Sequence, residues 1–221
     1  MYQEADRQLD IIQSFLKKEA LHLDNTGFDE IRSISTKTVT VRLMNRLKKK
    51  NKKSFWLVCL RAYEDAIEEA RKVGFKGKGD GIQEAWMLGL LDSYNYVTGY
   101  LYTPEAERKR LRLSEAINTA MSYEDRQLFK KEVKRFFSLW WTQTRQYMID
   151  VVDHTETKAW EDVGVEYAMW ITAEDEKVCE ECGGLHGRVF KLEDFPEKPH
   201  YNCRCRKVPM PKGYKPTKTN G

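Results

Sequence analysis

Four of the chain's five cysteines fall within 27 residues near its carboxy end, as Cys179-x2-Cys182 and then His200-x2-Cys203-x-Cys205. Two short chelating pairs separated by 20 residues have the form of a structural zinc site, in which one ion replaces a core too small to hold itself together. Everything upstream is cysteine-poor and patterned for helices, so the chain reads as two kinds of structure joined end to end.

Zinc takes four tetrahedral nitrogen or sulfur donors, and this segment offers six: Cys179, Cys182, His186, His200, Cys203 and Cys205. The preferred set is Cys179 and Cys182 with two of His200, Cys203 and Cys205, leaving His186 as the bystander. A closed set of four leaves no place for activated water, which points to a structural metal and away from catalysis. The rival reading of the same thiols is a pair of disulfides or free buried cysteines. Cys59 has no partner in sequence and reads as a small core residue.

The composition, 41% apolar and 33% charged, is that of a soluble globular protein. No apolar run is long enough for a membrane span, and the first residues lack the layout of a secretory signal. Synthesis and folding in a cytoplasm are therefore expected, where closely spaced thiols favour metal over disulfide. The charge balance is only mildly positive, +4, but Arg46, Lys48, Lys49, Lys50, Lys52 and Lys53 crowd into eight positions. Lysines so arranged are candidates for neutralising DNA phosphates without reading sequence. A solvated helix end explains them equally simply.

Apolar spacings of three and four predict most of the upstream elements. Tyr2, Ala5, Leu9, Ile12 and Leu16 line one helix face, broken at Asp24-Asn25-Thr26-Gly27. Ile31 to Met44 continues the pattern through the β-branched stretch Thr38 to Val41, and Trp56, Leu60, Tyr63, Ile67 and Ala70 form a stripe that stops at Gly74. Residues 74 to 81 hold four glycines and read as a loop, without the Gly-Lys-Ser/Thr of a phosphate-binding loop. Ile82 to Tyr96 suggests another helix, and Thr103-Pro104-Glu105 the start of the next. Phe129, Val133, Phe136, Phe137, Trp140, Thr144, Tyr147, Met148 and Val151 predict a helix of seven or eight turns, begun by Ser122-x2-Asp125 and buried along its aromatic side.

Around Gly164 the pattern changes to short strands: Glu166 to Thr172, Leu185 to Phe190, and Cys203 to Val208. Alternation on the last turns Cys203 and Cys205 inward and Arg204 and Arg206 outward, while Gly183-Gly184 permits a tight knuckle at the first cysteine pair. The predicted fold is mainly α, with a long-helix amino-terminal region and a small carboxy-terminal α+β module of short strands stapled by zinc. Its divisions are a helical region at 1–152, a cysteine-rich module at 153–208, and an extended or disordered tail at 209–221.

One set of anchors has a family resemblance. Trp170-x4-Asp175-x2-Val178-Cys179-x2-Cys182-x2-Leu185-His186-Gly187, followed by Pro199-His200-x-Asn202-Cys203-Arg204-Cys205, resembles the signature of the phage minor head proteins, the head morphogenesis proteins of the Mu F type. His154-Thr155-Glu156-Thr157-x-Ala159 resembles the Thr-Glu element that precedes it. The likeness covers roughly residues 145 to 210; Tyr201 departs from it, standing where the family commonly has proline. It implies a virion component made in the bacterial host cytoplasm and placed in the phage head interior or at the portal vertex. Its implied partners are the portal protein and the major capsid or scaffold protein, with non-specific contact to packaged DNA and no membrane. It also implies a part in head assembly, DNA packaging or ejection, and no enzymatic activity; with 16 residues after Cys205, no cargo domain is expected. Glu156, just before the module, is a candidate to brace it from behind the ligands by bonding backbone or a ligating histidine.

Two readings compete. His154-x-Glu156 with Cys179-x2-Cys182 has the residue types of a zinc-dependent nucleobase deaminase, but that leaves Cys203 and Cys205 unexplained. A zinc-stapled nucleic-acid-binding protein would instead use Arg204, Arg206 and the lysine-rich tail. A deaminase metal is ligated by His154, whereas a structural one requires the return strand.

Overall fold

A computed structural model describes residues 3–93, 104–173, 175–200 and 203–216. The chain is mainly helical and closes with a small three-stranded sheet. Helices α1 (Gln3–His22), α2 (Phe28–Ser33), α3 (Thr36–Lys72), α4 (Glu84–Ser93), α5 (Pro104–Ser122) and α6 (Arg126–Asp162) precede strand β1 (Tyr167–Ile171). Helix α7 (Glu180–Leu185), strand β2 (Val189–Lys191) and strand β3 (Arg206–Pro209) follow. The internal contacts divide the chain into two compact units: one of Gln3–Val58 with Gln83–Val151, the other of Cys59–Ile82 with Val152–Gly221.

In the first unit the expected stripes of α1 and α6 are largely buried, whereas the one after Ile31 is shifted: Ile31 and Met44 are buried but Ile34 is exposed, and Leu43 and Leu47, which the spacing did not single out, complete the buried face of α3. Ile12 and Leu16 of α1, Leu43 and Leu47 of α3, and Phe129, Val133, Phe137 and Trp140 of α6 are all core residues. Asp24 to Gly27 does not break the chain as expected; Leu23–Gly27 continues from α1 into α2 as a widened π-helical turn. Glycine is required there by space, since a Cβ on Gly27 would stand 2.5 Å from Leu23 Cδ1 and 3.3 Å from the Phe129 ring. The β-branched stretch at Thr38 to Val41 is helical, because Val39 and Thr40 are buried and the Thr40 hydroxyl donates back to the carbonyl of Thr36. Tertiary burial outweighs the small intrinsic penalty of branching.

Helix α6 exceeds the expected length: its 37 residues make about ten turns. Its start also differs. Asp125 is the cap, its Oδ1 accepting from the backbone N–H of Gln127 and Leu128 at 2.9 Å each, whereas the Ser122 hydroxyl donates to the Thr119 carbonyl and belongs to the end of α5. The predicted helix from Ile82 begins at Glu84; Tyr96 and Thr103 lie outside the described residues.

In the second unit, α3 and α6 each end on a left-handed glycine. Gly74 (φ 99°) donates to the Arg71 carbonyl while Phe75 donates to Ala70, and Gly164 (φ 81°) and Val165 repeat this with Glu161 and Trp160. Such paired bonds satisfy the last carbonyls and turn the chain sharply. The core beneath holds Tyr63, Ala66, Ile67, Ala70 and Phe75 with Ala159, Trp160, Val165, Ala168 and Leu192. Cys59 is fully buried, its thiol raised to about 12 by desolvation, as suits an inert core residue.

The sheet has the order β2-β1-β3, antiparallel throughout, with Met169 opposite both Val189 and Val208. The first strand falls where expected; the third begins only at Arg206, leaving Cys203 and Cys205 in the segment before it, and the second is shorter, because Leu185 closes α7 and Gly187 (φ 75°) turns the chain into β2. The segment after Val208 is not wholly free as expected. Met210 donates to the Tyr167 carbonyl, Lys212 to Val73, and the Tyr214 ring packs on Tyr167 at 5.7 Å; residues 217–221 lie outside the described residues.

Candidate metal centre

The first cysteine pair is set by a turn and a cap. Asp175 accepts from the Lys177 backbone, and Cys179 then takes the N-cap position of α7 in extended conformation. Its sulfur accepts from the Cys182 N–H at 3.4 Å, which, as the leading cause, holds the Cys179 thiol below its usual pKa. Gly183 and Gly184 lie inside α7, so the tight turn expected of them is one helical turn that puts Cys182 beneath Cys179.

The return segment brings the remaining donors to Cys182. Its sulfur lies 3.3 Å from His200 Nε2 and 3.6 Å from Cys203 Sγ. Cys179, Cys182 and His200 form one group of donor atoms lying within 4.8 Å of one another, and Cys182, Cys203 and Cys205 form another. Cys203 and Cys205 are buried and Arg204 and Arg206 exposed, as alternation requires. Arg204 reaches back to Asp175 with two bonds of 2.5 and 2.7 Å, tying the return segment to the turn before Cys179.

The donor chemistry fits a thiophilic ion. A tetrahedral zinc with Zn–S bonds near 2.3 Å has sulfur–sulfur edges of about 3.7 Å, and the Cys182 to Cys203 separation of 3.6 Å is close to that. All five cysteines are free thiols, so the disulfide reading has no support among these residues. Trp170, stacked on Phe195 at 5.7 Å, forms with Val178, Leu185 and Phe190 an apolar wall around the sulfurs. Burial, the largest cause, raises the Cys182 and Cys205 thiols. A metal that displaces their protons converts buried neutral groups into ligands.

His186 sits apart from both groups. Its Nδ1 accepts from the Thr172 backbone at 3.2 Å and pairs with the Thr172 hydroxyl at 2.8 Å, a role in fixing the turn after α7. His154 is exposed and belongs to neither group, so the donor set of a deaminase is not assembled.

Glu156 is wholly buried, yet both its carboxylate oxygens lack a hydrogen-bond partner among the described residues. The brace expected from it, to backbone or to a ligating histidine, is not made. Burial first, and then the neighbouring Asp153, raise its pKa to about 8, opposed by Lys207 and Lys198. Lys207 Nζ donates to the Asp153 carbonyl at 2.6 Å and to the Thr157 hydroxyl, while Lys198 pairs with the Asp153 carboxylate at 2.7 Å. These lysines fasten the return segment to α6. No spacing marks them in advance, because both are remote from α6 along the chain.

The basic run 46–53 lies in the middle of α3 and not at a helix end. Arg46 is held by Glu19 through three hydrogen bonds, Lys52 pairs with Glu84 at 2.6 Å, and Lys48 is buried. Lys49 and Lys53 remain exposed, and Lys50 is half-buried. Among the described residues, no helix is long and apolar enough to cross a membrane.

No curated protein and no solved structure matches the chain. Residues 110–208, which run from within α5 through α6 and the cysteine-bearing segment into β3, match the family model described as Phage Mu protein F like protein.

Proposed function

We propose that the chain is a minor head protein of a tailed phage or prophage, associated with the portal vertex and acting in head assembly and in DNA packaging or delivery. The observation that carries this reading is the family match over residues 110–208, which includes every cysteine of the proposed metal centre. The portal protein is its principal partner, with the capsid or scaffold protein beside it, and the virion is its location.

The metal is structural in this proposal. Cys179, Cys182, Cys203 and one of His200 or Cys205 hold a zinc ion, and Cys182 is the central ligand, since it belongs to both donor groups. The five donors converge from α7 with its N-cap and from the return segment. When bound, the ion supplies folding free energy to a segment whose apolar core is small. No role in turnover is assigned to it.

Two measurements test this. The purified chain should co-sediment with portal rings of its own phage, and its absence from mature particles and assembly intermediates alike would refute the head reading. Metal analysis of the purified chain should return about one zinc per chain, and no bound metal in protein prepared under reducing conditions would refute the centre.

A further inference from the structure

From Arg126 to Arg145, α6 carries six cationic side chains and one acidic one. Helical periodicity sorts them. Phe129, Val133, Phe137, Trp140 and Thr144 turn into the core of their unit. The exposed face carries Lys130, Lys131, Lys134, Arg135 and Arg145, interspersed with the neutral Gln127, Ser138 and Thr142. The one acid, Glu132, is largely covered at 19% exposure and approaches Arg135 at 3.8 Å. The exposed arc from Lys130 to Arg145, about 22 Å along the axis at 1.5 Å per residue, therefore bears no carboxylate.

Surface helices usually intersperse exposed cations with acids one turn away, because such pairs stabilise and like charges repel. Here that compensation is missing. Lys130, Lys131, Lys134 and Arg145 have no hydrogen-bond or ion-pair partner among the described residues. The sequence run at 46–53 is the opposite case: its density of lysine is higher, but Arg46 and Lys52 are paired within their unit and Lys48 is buried.

We propose that this arc of α6 is a docking surface for the phosphate backbone of duplex DNA, bound without regard to sequence. A linear polyanion carrying one negative charge per about 1.7 Å of axis complements a straight stripe of one sign, and releasing its counterions drives association. The stripe spans roughly six base pairs at about 3.4 Å each. An acidic protein partner is the less suitable occupant, since protein interfaces deplete charge at their centres and lysine in particular. That duplex DNA is the polyanion at hand rests on the head-protein reading; the surface itself does not.

The test is fluorescence anisotropy of the full chain with a labelled random-sequence duplex of about 30 base pairs, titrated between about 50 and 200 mM salt. The expected slope of log Kobs against log salt is about −4, from some 0.9 per neutralised phosphate. Changing Lys130→Gln, Lys131→Gln, Lys134→Gln and Arg145→Gln together should flatten that slope by about 3 to 4 while leaving the far-ultraviolet spectrum and melting temperature in place. A slope kept by that variant, a loss produced instead by Lys49→Gln, Lys50→Gln and Lys53→Gln, or no binding by the wild-type chain would each overturn the proposal. Displacement by polyglutamate as effective as by unlabelled DNA would overturn the choice of nucleic acid. Binding by the purified chain reports on this face alone, and particle association on the head reading, so either can fail without the other.

Discussion

Glu156 is a carboxyl group enclosed on every side, with Asp153 from its own helix, Glu69 from α3, Lys207 from β3 and Lys198 from the loop before it as its charged neighbours. Its folded pKa of about 8 stands above the ordinary 4.5, so the unfolded chain releases this proton first as pH rises. The group therefore favours folding below about pH 4.5 and costs stability progressively up to about pH 8, beyond which the loss is complete. At about 1.4 kcal/mol per unit the full effect amounts to several kcal/mol. Glu156→Gln should leave the melting temperature nearly unchanged at pH 5 and raise it increasingly toward pH 8; parallel curves for the two proteins would contradict a neutral buried acid. Sequence alone marked Glu156 through its place beside the cysteine module, but misjudged what it does. The two lysines and Glu69 that define its setting reach it only through the tertiary fold. The cysteines were easier to read, because their short spacings are local to the sequence, and the fold brings Cys179, Cys182 and His200, and likewise Cys182, Cys203 and Cys205, within 4.8 Å of one another.

Elements were legible wherever one periodicity acted alone. The aromatic stripe of α6 and the inward alternation of Cys203 and Cys205 are local patterns, and each has its expected burial. Boundaries were not, since they depend on where backbone groups find partners. Asp125 is the instance: three residues from Ser122, it reads as the second member of a capping box, yet it is the cap itself. Asp125→Ala should destabilise the protein by about 1 kcal/mol, read as a shift of the denaturation midpoint with the slope unchanged. Asp125→Asn should retain most of that stability, because the amide oxygen can still accept from the exposed N–H groups of the first turn. The π-helical turn at Leu23–Gly27 had no signal beyond Gly27, and there glycine answers to the Leu23 side chain first and the Phe129 ring second, rather than to a break in the helix.

For the whole chain, the two units need different support. The unit of Gln3–Val58 and Gln83–Val151 has long helices with buried aromatic residues, whereas the cysteine-bearing part of the other has short strands and a six-residue helix. Removing the metal with a chelator, or changing Cys179→Ser and Cys182→Ser, should make residues 165–208 susceptible to protease while the far-ultraviolet helical signal persists. Unchanged digestion would show that these sulfurs do not hold the segment together. The second unit also has a membership that the sequence did not disclose, for it gathers Cys59–Ile82 from far upstream of the family-matched segment. Trp160 is wholly covered and its indole N–H donates to the Ala66 carbonyl at 3.0 Å, in a core shared with Ile67, Ala70 and Phe75. Anyone cutting the gene to express only the matched portion would thus strip one wall from this tryptophan, and the truncated product would be sticky and poorly behaved whether or not zinc was supplied.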